Sequence, residues 1–196
     1  MMAVKMMSLR GKLLLASPEM GDPNFERSVI LMVQHSAEGA MGLVLNRPTD
    51  QTVGEVLSAS PDVDDEVACG TDELLYRGGP CEGPLMVLHG DAAMVQEQVT
   101  AGVYFAPEGE YVARALWGAL RPARFFAGYA GWGGGQLEGE LAQSAWIVMD
   151  AEVGAVFDQR GSGRDDPWRG LIRVKKAGEL LKGYSPKIVP RDPSMN

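Results

Sequence analysis

The chain has 196 residues, 45% of them hydrophobic and 22% charged, with a formal net charge of −8. That length suits one domain with a substantial core rather than two, and no apolar run approaches the roughly 20 residues that cross a bilayer. Charge is uneven, because residues 1–159 hold 9 Lys/Arg against 22 Asp/Glu while 160–196 hold 9 against 4; an acidic body disfavours direct nucleic-acid binding and leaves only the basic end for it.

In chain order, the opening MMAVKMMSLRGKLLLAS is broken by Arg10 and Lys12, and its apolar core is shorter than a signal peptide's, so a cytoplasmic location is expected. KLLLA (12–16), SVILMVQ (28–34) and MGLVLN (41–46) read as strands, with HSAEGA as the turn between the last two and a hairpin as the result. SPEMGDPNFER (17–27) carries two prolines and an Asp-Pro step, which predicts a structured loop. Helical spacing of Val53, Val56 and Leu57 predicts a short helix with Thr52 as its N-cap. DVDDE (62–66) is an acidic loop, and β-runs at 74–76 and 85–89 flank a Gly-Gly-Pro turn, predicting a second hairpin-like unit.

Pro107 opens a helix carrying Val112, Ala115, Leu116, Ala119 and Leu120 on one stripe. ARFFAGYA (123–130) is a strand, glycines lead into a helix over QLEGELAQ (136–143), and SAWIVMD (144–150) is another strand that GAVFD (154–158) extends or pairs with. After the loop QRGSGRDD, Asp166 caps a last helix with Pro167 at its first position and Trp168, Leu171 and Ile172 on its apolar stripe. Residues 1–183 form the single domain and 184–196, with three prolines, an extended or frayed tail. Hairpins outnumber strand-helix alternations, so the fold class is α+β on a mixed, mostly antiparallel sheet.

Two clusters are candidates for chemistry. The segment GYAGWGGGQLEGEL (128–141) holds six glycines, and a glycine-rich turn opening onto a helix can cradle a phosphate or carboxylate on its N–H groups, with Gly131, Trp132, Gly135 and Gln136 as contacts. Yet no Gly-Lys-Ser/Thr follows, Gln136 and Glu138 break GxGxxG, and two glutamates would oppose an anion; packing of the glycines against Trp132 and Tyr129 is the favoured reading. The second cluster is Asp22, Asn24, Arg27, His35, Asn46 and Arg47 at the strand ends. Arg47 there suits an anionic ligand, and its alternative is an ion pair with Asp22 or Glu26.

His35 or His89 would serve a hydrolase only if they face one pocket with an acidic partner, and no nucleophile motif accompanies them. Cys81 follows a glycine turn near Arg77, a setting for an activated thiol, against the alternative of an inert one; Cys69 reads as core. No metal-ligand spacing and no cofactor motif is present.

The ordered set GKLLLASPEMGDPNFERSVILMVQHSAEGAMGLVLNRP, YRGGPCEGPLMVLHG and GYAGWGGGQLEGELAQSAWIVMD resembles the YqgE/AlgH family of bacterial proteins, from about Gly11 to the Trp168 region. Shared positions appear as Pro18, Asp22, Phe25, Arg27, Ser28, His35, Gly42, Asn46, Arg47, Pro48, Gly78, Gly79, Pro80, Gly128, Gly131, Trp132, Gly135, Gln136, Leu137, Glu138, Glu140 and Trp146. The resemblance implies a bent or bifurcated sheet, partly barrel-like and surrounded by helices. It transfers no catalytic role, and its AlgH branch carries the label of transcriptional regulator. Cys81 departs from the valine more usual after GGP, so a thiol mechanism would not be general. The resulting expectation is a non-enzymatic or regulatory protein that binds a small anionic ligand or a protein partner near Arg47, Gly78, Gly79 and the GWGGGQ loop. A hydrolase is the alternative, and direct DNA binding through the basic tail is disfavoured.

Overall fold

Strand runs that are apolar at every position belong to a sheet covered on both faces. In the computed structural model, which describes residues 7–58, 72–93, 97–107, 109–116, 120–158 and 166–182, β1 (Lys12–Ala16) is such a strand from Leu13 onward. It lies between β2 (Val29–Ser36) and β10 (Trp146–Asp150), antiparallel to both. Leu13 and Leu15 enter one core cluster while Leu14 and Ala16 enter another on the opposite face. The hairpin expected next is present, formed by β2 and β3 (Gly39–Val44). β2 runs on through His35 and Ser36, where the sequence suggests a turn.

The second half of the sheet comprises β4 (Pro48–Thr52), β5 (Leu74–Arg77), β6 (Cys81–His89), β7 (Glu97–Thr100) and β8 (Val103–Ala106), assembled on β9 (Ala123–Gly133). β4, β7 and β8 carry no signal that the sequence reading used. The expected hairpin at Gly-Gly-Pro is absent, because β5 runs parallel to one edge of β9 and β6 antiparallel to the other. Residues 78–80 therefore cross over β9 instead of reversing beside it. A Cβ on Gly79 would lie 2.1 Å from the Tyr129 carbonyl carbon, and one on Gly78 would lie 2.1 Å from the Gly128 oxygen. Only glycine lets two backbones approach so closely.

β9 is also where the sheet forks. The edge that pairs Phe125–Ala127 with β5 goes on to pair Ala130–Gly133 with β3, and Gly128 stands at the switch with φ +71°. Its carbonyl partners leave no space either, since a Cβ there would meet the Cys81 oxygen at 2.6 Å.

Five helices are seen among the described residues: α1 (Val53–Ser58), α2 (Gly109–Leu116), α3 (Gln136–Ala142), α4 (Val153–Phe157) and α5 (Pro167–Lys182). α1 opens with a reciprocal capping box in which Glu55 N–H donates to Thr52 Oγ1 at 3.2 Å and Thr52 N–H to Glu55 Oε2 at 2.8 Å. α5 starts as expected, with Trp168 N–H donating to Asp166 Oδ1 at 3.0 Å and Trp168 Nε1 to the Ala16 carbonyl at 2.8 Å. α4 replaces the strand expected over GAVFD. The pairing of β10 with β1 ends at Lys12↔Asp150, so the chain beyond Asp150 has no continuing edge there and turns to bury Val156 and Phe157.

The central core, with Leu31, Phe105, Phe126 and Trp168, joins one face of the sheet to α4 and α5. A second cluster lies between β1–β3 and α3, and a third between β6, β8, β9 and helices α1 and α2. The result is an α+β half-barrel. Cys69, Ala119, the 62–66 loop, most of the loop before Asp166 and the tail lie outside the described residues. Among the described residues no helix is long and apolar enough to cross a membrane.

Candidate functional site

The glycine-rich segment is a strand extension and a clasp. Residues 131–133 continue β9 beside β3. Gly135 then takes φ +76° to start α3, and Gly133 N–H donates to the Gln136 side-chain oxygen at 3.1 Å. Glu140, one turn into α3, accepts from Trp132 Nε1 at 2.9 Å, Trp146 Nε1 at 2.7 Å and Gln136 Nε2 at 3.0 Å. Three donors on one carboxylate make a satisfied, half-buried network that joins β9, α3 and β10. Gly131 lies 3.1 Å, by a virtual Cβ, from the Tyr129 ring and 3.6 Å from Cys81 Sγ; both contacts belong to packing. Cys81 itself is half-buried opposite Tyr129.

The loop 17–27 is fastened to this clasp. Phe25 stacks on Trp132 with centroids 6.2 Å apart and meets Trp146 edge-on at 5.5 Å. Asp22 Oδ1 accepts from Asn24 N–H at 2.8 Å, an Asx turn. Asn46 bridges the loop to the sheet, accepting from Val29 N–H at 2.9 Å and donating to the Arg27 carbonyl at 2.8 Å. Arg47 also grips the loop, though through carbonyls: its Nη2 donates to Glu26 O at 2.9 Å and Pro23 O at 3.5 Å. The ion pair weighed from sequence is thus replaced by main-chain acceptors. Arg27 is held at φ +54°, a left-handed conformation uncommon for a non-glycine residue, and its guanidinium lies 6.0 Å from the Trp168 ring centre.

The structure separates the two histidines. His35 is opposite Ala40, which is opposite Trp132, whereas His89 is opposite Ala123; at about 3.3 Å per residue, roughly 30 Å of β9 lies between those positions. His35 receives Leu9 N–H on Nδ1 at 2.9 Å and bonds Glu138 Oε1 through Nε2 at 2.8 Å. Beside it is a groove of about 470 Å³ lined by Arg10, Gln34, Glu38, Met41 and Glu97. His89 is fully buried, stacked on Tyr104 at 5.5 Å, with neither ring nitrogen bonded. Burial pushes its pKa down, and Asp91 opposes that shift.

One polar residue escaped the sequence reading. Arg124, the second residue of ARFFAGYA, is buried and donates to Leu45 O at 2.8 Å and Val156 O at 2.7 Å, with its guanidinium 3.9 Å from the centre of the Tyr76 ring. Burial lowers its pKa and Tyr76 counters. A charged residue within an apolar strand is the signal that could have found it.

Forked curled sheet, glycine crossover and tryptophan-glutamate clasp together define a class of single-domain α+β protein in which the diagnostic motifs build the scaffold. An AlgH-like family model matches residues 13–177. The chain is 37% identical over 200 residues to a UPF0301 protein of Streptomyces coelicolor, covering 96% of each, and 39% identical over 160 residues to one from Myxococcus xanthus, covering 80% of this chain and 87% of that one. It also resembles the solution structure of the AlgH protein from Pseudomonas aeruginosa, with TM-score 0.70 and 30% identity over 94% of this chain and 98% of that one. A crystal structure from Corynebacterium diphtheriae gives 0.65 and 27%, over 88% and 90%. The chain belongs to the AlgH-like family.

Proposed function

We propose that this protein is non-enzymatic and regulatory, acting through a protein partner that docks on loop 17–27. The observation that carries the reading is how this loop is held. Phe25 is inserted against Trp132 and Trp146 while Arg47 and Asn46 hold its carbonyls, yet Asp22, Asn24, Glu26 and Arg27 remain exposed. A rigid loop with outward charged side chains binds at low entropic cost, and a strained Arg27 is a feature that functional loops retain. A small anion fits less well, because Arg47 Nη2, Gln136 Nε2 and the Gly133 N–H are already engaged within the protein.

The transcriptional label of the AlgH branch is compatible with this reading if regulation passes through the partner. Two measurements test it. Titration with inorganic phosphate and nucleoside triphosphates should leave the Gly133, Gln136 and Arg47 amide resonances in place, and gel shifts with duplex DNA should show no complex at low salt. Affinity capture should retain a protein that is lost with Arg27→Glu and Asp22→Lys but kept with a remote surface substitution such as Glu179→Lys, beside Lys12 at the opposite end of β1 from the loop. Equal retention by all these variants would sink the assignment to the loop.

A further inference from the structure

We propose that His35 is a proton-operated latch for residues 8–11, a strap that closes the half-barrel between β2 and β7. The strap occupies the place where β1 would continue beside β2, but it is not held by a regular ladder. Gly11 N–H donates to Met32 O at 2.8 Å, and the next main-chain donor along β2, Leu9 N–H, is taken by an imidazole, His35 Nδ1, at 2.9 Å. Ser8 Oγ adds a bond to His35 O at 3.3 Å. Across the seam Arg10 reaches β7, pairing with Glu97 at 3.0 Å and donating to Gln98 O at 2.8 Å.

The chemistry of the latch follows from its tautomer. A backbone N–H can only donate, so Nδ1 must be the bare nitrogen and Nε2 must carry the proton that it gives to Glu138. Both ring nitrogens are thereby committed, and the side chain is only 2% exposed. Protonating the ring places a second donor at Nδ1 facing Leu9 N–H, while the Nε2 bond to Glu138 becomes charge-assisted. The ring is retained and the strap is released. Charged groups that share this surroundings are Glu138 on α3, Arg10 on the strap, Glu38 at the β2–β3 turn and Glu97 on β7. Release would uncover the edge of β2 at Gln34–Ser36 and the edge of β7, two unpaired rows of main-chain groups of the kind that recruit another strand.

The test is an NMR titration of the full chain between about pH 8 and about pH 5, the range of histidine titration. Long-range ring couplings should show the Nε2–H tautomer at the alkaline end. The Leu9 amide should shift together with the His35 ring, and its protection factor against exchange should fall by up to about tenfold per pH unit as pH drops toward the ring's midpoint and level off below it. In His35→Asn, whose amide oxygen can accept Leu9 N–H without titrating, that protection should be independent of pH over the same range. A Leu9 amide that keeps its shift and protection while the ring titrates overturns the proposal, as does an Nδ1–H tautomer or a ring that stays neutral throughout. The wild-type titration is decisive by itself if the variant does not fold.

Discussion

Glu140 shows how a carboxylate inside a diagnostic motif is engaged in holding the scaffold together. Its carboxylate accepts both indole N–H groups and the Gln136 amide, so removing it leaves three donors without their partner. A buried donor that loses its acceptor costs about 1–3 kcal/mol. Glu140→Ala is therefore expected to destabilise the protein by about 3 kcal/mol, read as a lower urea midpoint with an unchanged slope. A loss below about 0.5 kcal/mol, the range of ordinary surface substitutions, would show that water replaces the carboxylate freely. From sequence, Glu138 and Glu140 were only reasons to doubt an anion site. Their acceptor roles depend on Trp132, Trp146 and His35, which come from other strands.

At the scale of elements, the crossover of residues 78–80 on β9 separates glycines that are required from those that are not. Gly79 has the Tyr129 carbonyl carbon, the Tyr129 oxygen and the Ala130 nitrogen within 2.3 Å of where a Cβ would be, and rigid backbone cannot yield as a side chain does. Gly139, inside α3, has nothing within 4 Å. Gly79→Ala should fail to accumulate in soluble form or lose several kcal/mol, whereas Gly139→Ala should gain about 0.5–1 kcal/mol from helix propensity. Thermal melts of the two variants check both halves, and a stable Gly79→Ala would refute the crossover. Sequence reading took the same residues for a hairpin turn, because a turn and a strand crossing ask for the same glycines. Where the cue was local it held: Thr52 and Asp166 cap their helices because a cap is settled within four residues.

For the whole molecule, pH links the fold to its buried groups. His89 has its folded pKa lowered by burial, so the native state resists a proton that the unfolded chain accepts. Stability is thus complete above the ordinary value of about 6.5 and falls as pH drops from there toward the folded value, by at most about 1.4 kcal/mol per unit. Melting temperatures measured from about pH 7.5 to about pH 5 should decline, and His89→Phe should remove part of that slope. A slope identical in the variant would mean that other groups account for all of it.

Length, apolar runs, caps and the ordered family motifs are properties of neighbouring residues, and from these the sequence by itself determined an α+β domain, its family, and where β1, β2, β3 and α5 lie. The forked edge of β9, the strand crossing at Gly79, the latch at His35 and the strapping of Arg124 between Leu45 and Val156 were decided only by tertiary structure. Each joins segments tens of residues apart. Periodicity records which face of an element is apolar, but the partner across a hydrogen bond is fixed only when the sheet has curled and brought the two together.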